Sequence, residues 1–186
     1  MSSLSALTDY GASVREWARM SVGHELEQPT ENVGATLVFA DGTTSRVFRE
    51  TRLLDAATAH PTVLVIAFRL AFLDDLAPLH TGFRHECLIH TPLFAGFRGF
   101  RSKLWLDDRR TRVYRGVYQW DGADDAVAYA GRMVGLLAPF SNRGTARSHV
   151  VPGMTRETYL QDPDATTGDG SDAWWRLAHH NPSPPA

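Results

Sequence analysis

The residues best able to do chemistry cluster between positions 97 and 120. Strand alternation puts Arg101, Lys103 and Trp105 on one face of a first run of β-formers, with Phe100, Ser102, Leu104 and Leu106 on the other. A second run divides in the same way. Arg112, Tyr114, Tyr118 and Trp120 share a face with Gly116, and Val113, Arg115, Val117 and Gln119 oppose them. Asp107, Asp108, Arg109 and Arg110 form a polar break between the runs, so the pair reads as an antiparallel hairpin. A face of cations and aromatics suits the wall of a polar-tipped pocket. It also suits a solvated surface whose Arg and Lys snorkel while the aromatics pack on a partner.

Three histidines complete the candidate set. His80 and His85 fall on an expected helix and His149 on an expected last strand. A histidine titrating near neutrality removes a proton from an activated carbon or a phenol. Arg101 or Lys103 would hold the resulting enolate or phenolate, with Trp105, Tyr114, Tyr118 and Trp120 lining the substrate. No metal is expected. His80, His85 and His90 follow at five-residue steps, which turn successive side chains by about 140° on a helix, in three directions. Asp162, Asp164, Asp169 and Asp172 lack the glycine and the final acid of a calcium loop and read as solvated. Cys87 sits on an apolar stripe and reads as a small core residue. No Walker sequence and no glycine-rich dinucleotide turn is present, so the expected pocket is cofactor-free.

The elements that must position these residues follow from periodicity. Leu4, Leu7, Tyr10, Val14 and Trp17 predict an amphipathic helix over about residues 3–21. Asp41-Gly42 between two β-forming runs, 36–39 and 45–48, predicts a tight hairpin, followed by a charged edge at Arg49, Glu50 and Arg52. Residues 62–70, apolar on both faces apart from Arg69, predict a central strand. A helix from Asp74-Asp75 to about His90 leads into the 97–120 hairpin. A second helix carries Ala126, Ala130, Met133, Leu137 and Phe140, and a last strand spans 145–151. From residue 61 the order is strand, helix, strand, strand, helix, strand. That is the split βαβ arrangement of an α+β ferredoxin-like fold, an antiparallel sheet with both helices on one face. The other face would be bare, which makes dimerisation a physical expectation. The division is then residues 1–60 as a helix-and-hairpin extension, 61–153 as the ferredoxin-like domain, and 154–186 as a polar C-terminal arm. Tyr159, Trp174 and Trp175 are that arm's only large anchors, and 180–186 read as loose.

The totals bound the function classes. A chain of 186 residues supports one decorated domain with a core of its own. A net charge of −2 gives no basic field for nucleic acid or anionic membrane. One cysteine, no secretory leader and no apolar run long enough to span a bilayer point to a cytoplasmic protein.

The stretches Ser102-Lys103-Leu104-Trp105-Leu106, Tyr114-Arg115-Gly116-Val117-Tyr118-Gln119-Trp120 and Ala126-Val127-Ala128-Tyr129 resemble small monooxygenases of the YdhR-like, antibiotic-biosynthesis-monooxygenase type. In that family a Lys-x-Trp strand precedes a Gly-Gly-x-Tyr-x-aromatic strand and an Ala-x-Ala-Tyr helix. The resemblance covers roughly residues 61–151, and Arg115 stands where the family usually has its first glycine. It implies a dimeric α/β barrel of two ferredoxin-like protomers packed sheet to sheet. It also implies a small-molecule enzyme, first a cofactor-independent monooxygenase of an aromatic or polyketide-like compound. A cofactor-free cyclase or isomerase using acid–base chemistry is the alternative, and a non-catalytic ligand-binding or assembly protein is a third reading.

Overall fold

The computed structural model of the chain describes residues 26–54, 57–71, 96–167 and 170–183. The expected helices over 3–21 and 74–90 lie outside these residues. Among the described residues eight strands form one sheet: β1 Leu26–Glu27, β2 Thr36–Phe39, β3 Thr44–Leu53, β4 Pro61–Arg69, β5 Phe100–Asp108, β6 Val113–Asp121, β7 Arg147–Pro152 and β8 Leu177–Asn181. Helix α1 spans Ala123–Leu137 and the short helix α2 spans Arg156–Gln161. All strand pairs are antiparallel, in the order β7-β4-β6-β5-β3-β2-β8, with β1 on β3.

Four of these strands, β7-β4-β6-β5, form the ferredoxin-like sheet expected from the sequence. β4 is central, pairing along its length with β6 and β7, and its residues Thr62–Ala67 are all buried, which fits an apolar pattern on both faces. The β5–β6 turn is closed by Asp108, whose Oδ1 accepts the N–H of Arg110 and of Thr111, and Arg112 takes a left-handed φ of 57°. The N-terminal hairpin extends this same sheet, because β3 pairs with β5. Arg49 and Glu50 therefore do not lie on a charged edge. β3 is an interior strand, and Glu50 is fully buried.

Two apolar clusters lie on opposite faces of the sheet. On one face Leu64, Ile66, Phe100, Trp105, Tyr118 and Trp120 meet Ala126, Tyr129 and Ala130 of α1. Asp124 and Asp125 occupy the first turn of that helix, where acids complement its dipole. Phe100 corrects the expected alternation. A bulge between Phe100 and Ser102 moves Phe100 to the face of Trp105 and Trp120 and leaves Arg101 at the irregularity.

The other face is covered by the chain itself. Tyr159, Leu160, Trp174, Trp175 and Leu177 pack on Leu37, Phe39, Val47, Val63, Val65, Leu104, Leu106 and Val117, and the sheet curls around them. The three aromatic anchors of the arm are thus the residues that seat it. The bare face on which the expectation of dimerisation rested is covered by the arm in cis. Nor is the stretch from His180 loose throughout. His180 belongs to β8, which pairs with β2. Among the described residues no helix is long and apolar enough to cross a membrane.

Candidate functional site

Lys103, Trp105 and Tyr118 come together on the α1 side of the sheet. Lys103 faces Tyr118 across the β5–β6 ladder, and Trp105 faces Gly116. The Lys103 side chain is buried, with its Nζ 3.1 Å from the centroid of the Trp105 ring and 4.8 Å from that of Tyr118. A desolvated ammonium over aromatic faces is attracted by roughly 2 kcal/mol or more. Gly116 makes this possible. A Cβ at that position would lie 2.5 Å from Cε2 of Tyr118, so the absent side chain is the space the tyrosine ring occupies. The glycine that alternation places among the aromatics is thus part of the site.

β3 supplies the next layer. Arg49 pairs with Trp105 and Thr51 with Lys103. The Arg49 guanidinium lies 5.5 Å from the Trp105 ring centroid, and Trp105 Nε1 donates to Thr51 Oγ1 at 3.2 Å. The indole is thereby fixed in its plane, with two cations on it. Arg49 and Thr51 were not among the expected site residues. The period-two pattern of Arg49 and Thr51 around Glu50 was a usable signal once β3 was known to pair with β5. Tyr129 of α1 was also missed. It is buried and meets Tyr118 edge-on at 5.6 Å and Trp120 at 4.9 Å between centroids. Its place between Ala126 and Met133, at the i+3 step of the apolar stripe, was the signal available.

The remaining candidates lie elsewhere. Trp120 shares the face of Tyr118 but is wholly enclosed between Phe100 and Tyr129. Tyr114 is at the far end of β6, stacked on Phe68 at 5.7 Å. Arg101, at the bulge, pairs with Asp121 at 2.8 Å and donates to the carbonyl of Ala57, so it ties the start of β5 to the preceding connector. Asp121 is held below its usual carboxylate range, first by the His60 N–H, with burial acting against this and Arg101 adding to the lowering.

His149 is separated from Lys103 by the sheet. It pairs with Val65, whose side chain belongs to the arm-covered face, and its ring stacks on Trp175 at 3.8 Å and 8°. Burial pushes its pKa down, partly offset by Asp172. Its ring is a packing surface for the arm, on the face opposite Lys103. His80 and His85 lie outside the described residues. Asp172, read from sequence as solvated, accepts Trp175 Nε1 at 3.1 Å. Among the described residues no group of three or more His, Cys, Asp or Glu could hold a metal ion.

The arrangement of Lys103, Arg49, Trp105 and Tyr118 can do two things. It can stack a flat ring, and it can hold negative charge that develops on that ring.

No family model matches the chain, and no curated protein matches it. Among solved structures it is similar to an uncharacterised ferredoxin-fold protein of Listeria monocytogenes related to antibiotic biosynthesis monooxygenases. The identity is 13%, over 59% of this chain and 63% of the other, with a TM-score of 0.40. It is also similar to a heme-degrading enzyme of Listeria monocytogenes, at 13% identity over 72% of this chain and 90% of the other, TM-score 0.41. An anthrone oxidase-like protein matches at 14% identity over 61% and 59%, TM-score 0.38. The chain thus spans less than two thirds of the first and third of these structures.

Proposed function

We propose that this chain is a small-molecule enzyme acting on a flat aromatic or polyketide-like compound in its phenolate or enolate form, as a cofactor-independent monooxygenase. The observation that supports it is the Lys103 ammonium, buried between the rings of Trp105 and Tyr118. A buried cation in contact with two π faces is poised for an anion of matching shape. The substrate ring lies along Trp105, and its charged oxygen is met by Lys103, with Arg49 on the same indole. An electron-rich carbon of that anion then reacts with molecular oxygen. A methylene there becomes a carbonyl, one oxygen atom stays on carbon, and the other leaves as water with the two hydrogens. The electrons come from the substrate.

The test is oxygen uptake with a panel of phenols and fused-ring phenols, run on the full chain and on Lys103→Met. Uptake stoichiometric with product, falling about a hundredfold in kcat/KM in the variant, is expected for loss of a cation that stabilises developing charge. Product formed without oxygen uptake would replace the monooxygenase with a cyclase or isomerase at the same pocket. Full activity in Lys103→Met would remove Lys103 from the site.

A further inference from the structure

The Lys103 site and the arm stand back to back across the sheet. On β3, Thr51, which accepts the indole N–H of Trp105, directly follows Glu50. On β6, Tyr118 directly precedes Gln119. Neighbours along a strand point to opposite faces, so Glu50 and Gln119 lie directly behind the site. Both meet one residue of the arm. An Arg156 guanidinium nitrogen lies 2.8 Å from a Glu50 carboxylate oxygen, and the Arg156 backbone N–H donates to Gln119 Oε1.

β5, which carries Lys103 and Trp105, runs between β3 and β6. Arg156 therefore reaches behind β5 and ties its two flanking strands together, a span of about 10 Å. Each end of the tie is itself held. Asn32 donates to the second oxygen of Glu50 at 2.7 Å. Gln119 Nε2 donates to the carbonyls of Thr62, on β4, at 3.2 Å and of Trp120 at 3.1 Å. Glu50, Gln119 and Arg156 are all buried.

A close-packed interior passes a displacement on one face to the other. Without Arg156 the Glu50 carboxylate is a buried charge that has lost its counter-ion. It turns towards water and draws the backbone at Glu50 and Thr51 with it. The Thr51 hydroxyl then moves away from Trp105, and Gln119, released on the other side, loosens Tyr118.

We infer that Arg156 is a positioning residue for the Lys103 site. By docking on the opposite face, the arm sets the spacing of β3 and β6. It thereby holds the Trp105–Thr51 bond and the place of Tyr118 beside Lys103. The site is assembled only while the arm is seated, so whatever lifts the arm switches the site off. This role in regulation rests on the reading of the Lys103 site as the place where substrate binds.

The experiment is NMR hydrogen exchange of the tryptophan indole N–H groups in the full chain. Trp105 reports the bond to Thr51, and Trp120, wholly buried in the same cluster, reports general opening of that core. The ratio of the two rates separates a local change from a loss of overall stability. In Arg156→Met the Trp105 rate should rise about tenfold relative to Trp120, the weight of one hydrogen bond. In Arg156→Met combined with Glu50→Leu both buried charges are gone and the fold is kept, yet the ratio should stay raised because the tie is absent. Leu177→Ala thins the arm's apolar seat without touching the tie, and should speed both indoles alike. An unchanged ratio in the double variant overturns the inference, whether or not Arg156→Met alone folds. A ratio raised as much in Leu177→Ala also overturns it. Oxygen uptake with the phenol panel, run on the same proteins, should fall about tenfold in kcat/KM in the double variant. A raised ratio in a chain that oxidises no phenol supports the coupling and overturns the monooxygenase reading. An unchanged ratio with full uptake overturns the coupling and leaves that reading standing.

Discussion

Arg156 and Glu50 meet at 2.8 Å with both side chains almost wholly out of water, so the first turn of α2 is locked to the middle of β3 by charge. It is a contact between charges more than an aligned hydrogen bond. The neighbours complete it. Asn32 donates to the other oxygen of Glu50 at 2.7 Å, and the Arg156 N–H donates to Gln119 Oε1. Together they fix the point at which the arm enters the concave face of the sheet.

Breaking this pair leaves an uncompensated buried charge. Arg156→Met should destabilise the protein by about 3–5 kcal/mol. Urea denaturation followed by tryptophan fluorescence measures it, since Trp174 and Trp175 report on the arm. In Arg156→Met combined with Glu50→Leu most of the loss should be recovered. Single-variant stability equal to that of the original chain would show that the lock contributes nothing.

Removal of the arm should expose the sheet face it covers. A chain ending at Gly153 would leave Leu37, Phe39, Val63, Val65, Leu104 and Val117 without Tyr159, Trp174 and Trp175. An apolar face of that kind is a self-association surface. The truncated chain is expected to run as a dimer or larger species by light scattering, at concentrations where the full chain gives a smaller mass. An identical mass for both would mean that the arm is not what keeps this face from pairing.

Gly116 should not tolerate a methyl group. Alanine there would meet the Tyr118 ring at 2.5 Å and drive it from its place beside Lys103. A loss of about 1–3 kcal/mol is expected from the forced shift. The same substitution in a Tyr118→Leu background should cost much less, because the clash is with the ring. Equal costs in both backgrounds would place the strain in the backbone.

Stability should fall on mild acidification. Burial depresses the pKa of His149, where Asp172 partly opposes it, and of His180. The unfolded chain takes up these protons first, near the ordinary histidine value of about 6.5. Stability from this source is therefore full above that pH. It is lost as the pH falls through the unfolded value towards the depressed folded ones. Melting temperatures between pH 7.5 and 5 should show this decline, and His149→Phe, which can keep the stack on Trp175, should flatten it. A profile unchanged in His149→Phe would assign the slope to other groups.

Much of this architecture is legible in one dimension. The two-sided apolar run at 62–70 dictates a strand covered on both faces, and β4 is one. Asp41-Gly42 dictates a hairpin, and Gly42 takes the φ of 77° such a turn requires. Lys103, Trp105, Gly116 and Tyr118 are forced onto one face by alternation and the register of a hairpin, and there they meet. These are local properties of backbone geometry and side-chain polarity, and tertiary structure only had to accept them.

What the tertiary structure decided is which strand lies beside which and what covers each face. A charged pattern at Arg49, Glu50 and Arg52 looks the same on an edge strand and on an interior one. Only the pairing of β3 with β5 sends Arg49 to the indole of Trp105 and buries Glu50 against Arg156. His149 has the composition of a catalytic base, but the parity of its strand position turns it to the face opposite Lys103. The arm reads as polar because most of it is. Three aromatics spaced along it hold a sheet face whose identity depends on contacts more than a hundred residues away in sequence, such as Tyr159 with Leu37 in one core. Periodicity carries the direction of a side chain along one strand, and it carries nothing about its long-range neighbours. That is why the face of the site was written in the sequence and its partners were not.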